Sequence, residues 1–202
     1  SVADFWRRWH ISLSTWFRDY LYIPLGGSRK GKRIAVRNTF ITFLVSGLWH
    51  GANWKYLAWG GLHAIYFLPL MLLNRNRTHL NIAAAGRIFP SAKEFIGIII
   101  TFTLTVLAWI FFRADNMGHA GGIFSEIFSP SLFSLPEIIP GKILMLIVFF
   151  VIIEWLGREN LYAIGKTGLK WPRYFRWGFY YLLLLLIFFE GGREQPFIYF
   201  QF

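Results

Sequence analysis

An uninterrupted run of 18 residues without a charge, FIGIIITFTLTVLAWIFF at 95–112, constrains this chain more than any other feature. A helix rises about 1.5 Å per residue, so a run of this length approaches the thickness of a bilayer core. Of the 202 residues, 55% are hydrophobic and only 15% are charged. A soluble domain of this size exposes too much surface to hide so many apolar side chains. The sequence therefore predicts a membrane protein.

The remaining apolar stretches predict an all-α fold, a polytopic transmembrane helical bundle. Residues 39–73 are too long for one crossing and are interrupted near Gly51, so we interpret them as two helical segments. These two segments cover about 38–50 and 55–73, and further helices are predicted at 143–156 and 177–189. Polar loops are predicted at 74–94, 113–142 and 157–176. The aromatic tail after residue 190 is expected to fold back on the bundle, and residues 1–202 to form a single membrane domain.

Residues 4–22 predict one amphipathic helix that lies in the membrane interface at the N-terminal end of the bundle. Aromatic and aliphatic residues recur at steps of three and four, which places them on one helical face. Arg8 and Asp19 fall on the opposite face. This pattern, with tryptophan at the boundary, is typical of interfacial helices. For Trp6, Trp9 and Trp16 we therefore expect interfacial anchoring.

The net charge of +11 comes from 21 Lys and Arg against 10 Asp and Glu. These cations fall between apolar runs, as membrane-flanking cations do, so no nucleic-acid partner is expected. Their distribution places 1–37, 74–94 and 157–176 on the cytoplasmic side and 113–142 outside. The basic segment 29–37 has two interpretations, a topology signal or a contact with the phosphates of a cytosolic acyl donor. The absence of cysteine excludes disulfides and thiol catalysis.

Three of the five histidines lie in apolar or interfacial segments: His10, His50 and His63. His79 and His119 lie in predicted loops and are expected to be solvated. His50 has the most suggestive setting, SGLWHGANW at 46–54, where small residues leave room for a substrate or a close helix crossing. Ser46 lies one turn before it and is able to orient the ring. A histidine shielded from bulk water suits a general base, and a hydrogen-bonded packing role is the alternative.

Two long blocks, FWRRWHISLSTWFRDYLYIPLGG (5–27) and SGLWHGANWKYLAWGGLH (46–63), resemble the membrane-bound O-acyltransferase family. The resemblance is to its bacterial branch of alginate O-acetylases and D-alanyl-transfer proteins, and it continues through LAWIFFRADN (107–116) and FIYFQF (197–202). It implies a multi-helix membrane enzyme that moves an acyl group from a thioester to a hydroxyl. Members of the family are longer, so we expect this chain to be the C-terminal part of a larger protein.

The resemblance also implies roles for single residues. The histidine of the LWHG block, here His50, is the expected catalytic base, and His10 of the RRWH block is the second site residue. His63 matches a less certain position. We expect the substrate tunnel to be lined by further residues of the second block: Ser46, Trp49, Asn53 and Trp54.

The implied acyl donor is a thioester substrate, acetyl-CoA or an acylated carrier protein, with no bound cofactor and no metal. The implied acceptor is an exported cell-envelope polysaccharide, and the implied protein partner is a periplasmic or extracellular acyltransferase. The expected location is the bacterial inner membrane, in a multi-pass arrangement in contact with lipid. The alternative function is a non-catalytic membrane scaffold of a polysaccharide-modification complex. A channel or transporter is a weaker interpretation, since the sequence shows no inverted repeat.

Overall fold

The computed structural model describes residues 1–76, 81–134, 139–166 and 168–190, with Glu190 described by its backbone alone. Every regular element in these ranges is helical, which confirms the predicted all-α class. The helices are α1 (Val2–Arg8), α2 (Ile11–Phe17), a π-helical segment (Arg18–Tyr22), α3 (Lys32–Trp49), α4 (Trp54–Leu72), α5 (Ala92–Arg113), α6 (Met117–Ile127), a 3₁₀ turn (Pro130–Phe133), α7 (Gly141–Gly157) and α8 (Arg173–Glu190). His79 and the aromatic tail lie outside the described residues.

The chain divides into two compact units. The first comprises Ser1–Ala84 with Phe89–Leu135 and holds α1 to α6, and the second comprises Ala85–Ile88 with Pro136–Phe202. Within the described ranges, α5 alone is long and apolar enough to cross a membrane, judged by length and composition. The polytopic bundle and the single membrane domain therefore stay predictions.

Helices α3 and α4 pack closely because two glycines lie at their crossing. A Cβ on Gly47 would lie 2.2 Å from the carbonyl oxygen of Tyr56, and one on Gly60 would lie 2.3 Å from that of Phe43. Real Cβ atoms do not approach an oxygen so closely, so each position admits only glycine at this helix separation. The small residues flanking His50 therefore serve a close helix crossing, one of the two interpretations that the sequence allowed.

The predicted continuous helix over 4–22 is wrong. Helix α1 ends at Arg8, Trp9 is extended, and His10 has φ 45° and ψ 54°, in the left-handed region. Helix α2 starts at Ile11, and the last residues of the predicted helix form the π-helical segment Arg18–Tyr22. Periodicity in the sequence cannot reveal this break, because the aromatic residues on either side keep the same spacing.

A buried amide fastens the turn after the π-helical segment to α3. Asn38 is fully buried, and its Nδ2 donates to the carbonyl oxygens of Leu25 at 3.1 Å and Gly27 at 3.0 Å. Its Oδ1 accepts hydrogen bonds from the Arg37 guanidinium at 2.9 and 3.1 Å. All the hydrogen-bonding groups of this amide are therefore engaged, as burial of a polar side chain requires.

Helix α5 begins with a capping box, in which Ser91 and Glu94 exchange hydrogen bonds between side chain and backbone. The predicted loop over 113–142 is partly wrong, because α6 follows α5 directly. Asn116 caps α6, Ala120 is fully buried, and the Phe124 ring lies 5.2 Å from that of Phe111. This packing stabilises a glycine-rich helix that local propensity disfavours.

In the second unit, the end of α7 is tied to the segment Ala85–Ile88. Trp155 Nε1 donates to the Ile88 carbonyl at 2.8 Å, and Glu159 accepts from the Gly86 amide at 2.7 Å. Arg158 donates to the Arg87 carbonyl and stacks 4.4 Å above the Trp155 ring. These three side chains therefore hold the segment Ala85–Ile88 against the end of α7.

We expect Gly60→Ala to destabilise the fold and Gly61→Ala to leave it intact. At Gly60 the new methyl group meets the Phe43 backbone, whereas at Gly61 the nearest atom is the Leu44 side chain at 3.7 Å. Overpacking typically costs about 1–3 kcal/mol. The apparent Tm in detergent micelles measures the difference. Equal Tm values for the two variants would show that the helices separate without penalty.

Candidate functional site

His50 lies at the junction between α3 and α4. It is the residue directly after the last residue of α3, and its amide donates to the Gly47 carbonyl at 3.0 Å. Gly51 follows with φ 140°, a backbone conformation that favours glycine, and Asn53 caps α4. The Asn53 side chain accepts from the Lys55 amide at 3.1 Å. This short turn holds His50 beside the first two turns of α4.

Three aromatic rings from three helices surround the half-buried His50 imidazole. The ring centroids of Trp49, Trp59 and Phe112 lie 4.8, 5.3 and 4.8 Å from it, each in an edge-to-face arrangement. We call these four residues the His50 ring cluster. Such walls carry few polar atoms and limit contact between the imidazole and bulk water, which is the setting that a buried proton acceptor needs.

The structure brings His10 to the same cluster. Its ring lies 6.5 Å from that of Trp49, at 87°, so that His10 and His50 both contact one tryptophan. His10 is exposed and its left-handed backbone turns the chain between α1 and α2. A non-glycine residue in this conformation is strained, and such strain is common at functional sites. The two histidines predicted from the sequence are therefore neighbours in space.

The other predicted site residues divide into two groups. Trp49 lies in the ring cluster, and Ser46 is buried on α3 one turn before His50. Asn53 is engaged as the cap of α4, and Trp54 is 75% exposed at the first position of that helix. Asn53 and Trp54 thus border the site at its surface, Trp49 contacts His50 while nearly half of its own surface stays exposed, and Ser46 is buried.

A cavity of about 280 Å³ lies between the N-terminal helices, α3 and α4, and reaches the predicted site residues at Ser46. Trp6, Phe43 and Ser46 form part of its wall, and Arg18 contributes a cation. Arg18 Nε donates to Asp19 at 2.7 Å, and this hydrogen bond lowers the pKa of the Asp19 carboxyl. The pair keeps opposite charges at neutral pH, so the cation beside the cavity is balanced.

The sequence interpretation missed a second aromatic cluster, made by Trp6, Trp59 and His63. Trp6 Nε1 donates to His63 Nδ1 at 3.3 Å, and the two rings lie 4.9 Å apart at 87°. The Trp6 ring also lies 5.9 Å from that of Trp59. The Trp6 indole thus packs against α3 and α4 and donates inside the protein, and its expected interfacial position stays a prediction. The sequence signal for this cluster was the i, i+4 spacing of Trp59 and His63, which makes the two side chains neighbours on one face of a helix.

Two further titratable residues, His119 and Lys55, make contacts outside this cluster. His119 is exposed, as predicted, although it lies on α6 rather than in a loop, and its Nδ1 lies 3.0 Å from Asp115 Oδ2. Lys55 Nζ donates to the Ala114 carbonyl at 2.7 Å and joins the start of α4 to the end of α5. In the described ranges, three or more His, Asp or Glu side chains nowhere gather in a way that would hold a metal ion.

Residues 1–112 match the sequence model of the MBOAT, membrane-bound O-acyltransferase, family. The chain belongs to this family. The matched residues include both aromatic clusters, the cavity wall and the α3–α4 crossing. The predicted resemblance, including its alginate O-acetylase and D-alanyltransferase branch, is confirmed.

Named members of the MBOAT family align with large parts of the chain. The probable alginate O-acetylase AlgI of Pseudomonas fluorescens is 38% identical over 81% of this chain and 32% of its own length. The peptidoglycan O-acetyltransferase of Helicobacter pylori is 42% identical over 59% of the chain and 21% of its own length. The teichoic acid D-alanyltransferase of Streptococcus thermophilus is 33% identical over 55% of the chain and 30% of its own length.

The chain spans less than half the length of these MBOAT relatives. Even the alginate O-acetylase of Pseudomonas putida, which aligns with 100% of the chain at 34% identity, is covered over only 44% of its length. No solved structure matches the chain.

Proposed function

We propose that this chain carries the catalytic histidine of a membrane-bound O-acyltransferase that transfers an acyl group, most simply acetyl, from a thioester to a hydroxyl. One observation carries the proposal. His10 and His50, from two separate blocks of the sequence, contact the same Trp49 ring. A packing role for either histidine does not require the other, whereas a site in which one histidine moves the proton and the other assists it or orients the donor brings both together.

In the proposed reaction, His50 accepts the proton of the acceptor hydroxyl as its oxygen attacks the thioester carbonyl carbon. The new C–O bond forms and the C–S bond breaks, and the sulfur leaves with the electron pair. The protonated imidazole then returns the proton to the thiolate. The products are an ester and a free thiol, so no oxidant or reductant is needed. His10 orients the donor or serves as the second proton site.

The substrates are proposed from chemistry and from the relatives' names. The donor is acetyl-CoA or an acylated carrier protein, and the final acceptor is an exported cell-envelope polysaccharide. Relatives are named for alginate, peptidoglycan and teichoic acid, all polymers of the bacterial envelope. A periplasmic or extracellular acyltransferase partner would then complete transfer to the polymer. Ser46, Trp49, Asn53 and Trp54 are the proposed substrate-contacting residues.

The proposed setting is the bacterial inner membrane, with the chain part of a polytopic bundle. Helix α5 supplies the span that length and composition support. Helices α7 and α8 present many exposed apolar side chains, Phe150 and Leu184 among them, which lipid or further helices of the whole protein would cover. We infer a multi-pass protein from this pattern.

Replacing His50 by alanine in the full-length parent protein should lower the acetyl ester on the polymer by at least about 10²-fold, the smallest contribution typical of a general base. The matched control is His119→Ala, which removes an exposed histidine on α6. Membrane levels of both variants should equal wild type. Ester content is measured after base hydrolysis of the polymer. Unchanged acylation in His50→Ala would favour the scaffold function.

Replacing His10 by glycine tests the second histidine without straining the backbone. Glycine adopts the left-handed conformation at φ 45° without a steric penalty, so the variant should fold and lose only the imidazole. We expect a clear loss of turnover with normal membrane levels. Near wild-type turnover in His10→Gly would restrict His10 to shaping the turn between α1 and α2.

Neutralising the exposed cations Arg29, Lys30, Lys32 and Arg33 separates the two interpretations of the basic segment. Contact with donor phosphates predicts a raised KM for acetyl-CoA with normal insertion. A topology signal predicts lost insertion, as in the positive-inside rule. The matched control neutralises Lys166 and Lys170, which are exposed cations of the second unit. An unchanged KM with normal insertion would contradict both roles.

A further inference from the structure

The hydrogen bond between Trp6 and His63 fixes which nitrogen of His63 carries the proton. His63 is only 1% exposed, and its Nδ1 accepts from the Trp6 indole. An indole N–H can only donate, so Nδ1 must be the unprotonated nitrogen. In the neutral ring the proton then lies on Nε2. This N–H is buried and has no hydrogen-bond partner within the part of the chain that the structure describes.

Trp59 presents a second donor of the same kind, one helical turn earlier on α4. It is 4% exposed, and its Nε1–H is also buried without a partner among the described residues. The rings of Trp59 and His63 lie 5.0 Å apart at 73°. Buried donors are nearly always satisfied, because an unmade hydrogen bond in an apolar setting is unfavourable. Two such donors in one cluster therefore indicate an acceptor that comes from outside these residues.

We propose that Trp59 Nε1–H and His63 Nε2–H bind the carbonyl oxygen of the acyl group that the enzyme transfers. This inference rests on the proposed acyltransferase function and adds the group that would stabilise its intermediate. The Trp59 ring lies 5.3 Å from that of His50, so one donor belongs to a ring that adjoins the proposed base, and the other belongs to the next ring, His63, 5.0 Å beyond Trp59. A carbonyl oxygen only accepts hydrogen bonds, which suits a site that offers donors alone.

The hydrogen bonds from these two N–H groups become stronger as the reaction proceeds. When the hydroxyl oxygen attacks the carbonyl carbon, the π-electron pair moves onto the carbonyl oxygen. The two N–H groups then face a full negative charge in a water-poor setting. When the intermediate collapses, the C=O bond is restored and the electron pair of the C–S bond leaves with sulfur. Trp59 and His63 are thus catalytic residues in this proposal, and Trp6 is a positioning residue.

Paired substitutions in the full-length protein test the proposal through kcat and KM for acetyl-CoA. Trp59→Phe removes the N–H and keeps most of the ring, and His63→Leu removes the other donor. Each should lower kcat by about 10²-fold or more with a much smaller change in KM, as loss of an oxyanion donor does. His63→Gln, whose amide both accepts from Trp6 and donates, should recover much of the loss. The matched control is Trp109→Phe, whose ring packs 5.6 Å from Trp9.

A binding measurement keeps this test separate from the role of His50. The probes are two unreactive CoA thioethers, S-acetonyl-CoA with a carbonyl group and S-isobutyl-CoA without one. Wild type and His50→Ala should both bind the carbonyl probe more tightly, and Trp59→Phe and His63→Leu should lose that preference. If the preference persists in both donor variants, or if their kcat is that of wild type, the donors bind only an ordered water and the proposal is wrong. If His50→Ala is fully active while the preference depends on Trp59 and His63, the assigned base is wrong and the carbonyl site remains.

Discussion

The close approach of α3 and α4 is the constraint on which the candidate site depends. At Gly47 and Gly60 the backbone of the opposite helix occupies the space that a side chain would need. Only at this separation does the end of α3 place His50 within ring contact of Trp59 on α4.

Aromatic rings supply most of the surface around the site, and this makes its few polar atoms informative. Rings fill space and exclude water without offering acceptors, so each polar atom among them depends on a specific partner. Trp6 illustrates this: its one N–H selects the tautomer of His63 and thereby determines which nitrogen is left to donate. The same indole forms part of the cavity wall, so packing and protonation are set by one side chain.

The sequence predicted the helical class, α4 and α5 within about three residues, the end of α3 but not its start, and two histidines that the structure brings to one tryptophan. Apolar length and local motifs carry that information. The break at His10 was missed because a single left-handed residue leaves the periodic pattern unchanged. Helix α6 was missed because its glycines disfavour a helix locally and only contacts such as Phe111 with Phe124 compensate. The pairing of Trp6 with His63, 57 positions apart, depends on tertiary structure, which a single sequence does not contain.

The turn between α3 and α4 has a consequence for the order in which the molecule assembles. Only four residues separate Trp49 from Trp54, so the two helices form a hairpin. Closing so short a loop costs less conformational entropy than closing a long one. Contacts of such short sequence separation form early in folding. The crossing at Gly47 and Gly60, and with it the environment of His50, is therefore a local structure that can form during synthesis before α7 and α8 have been made.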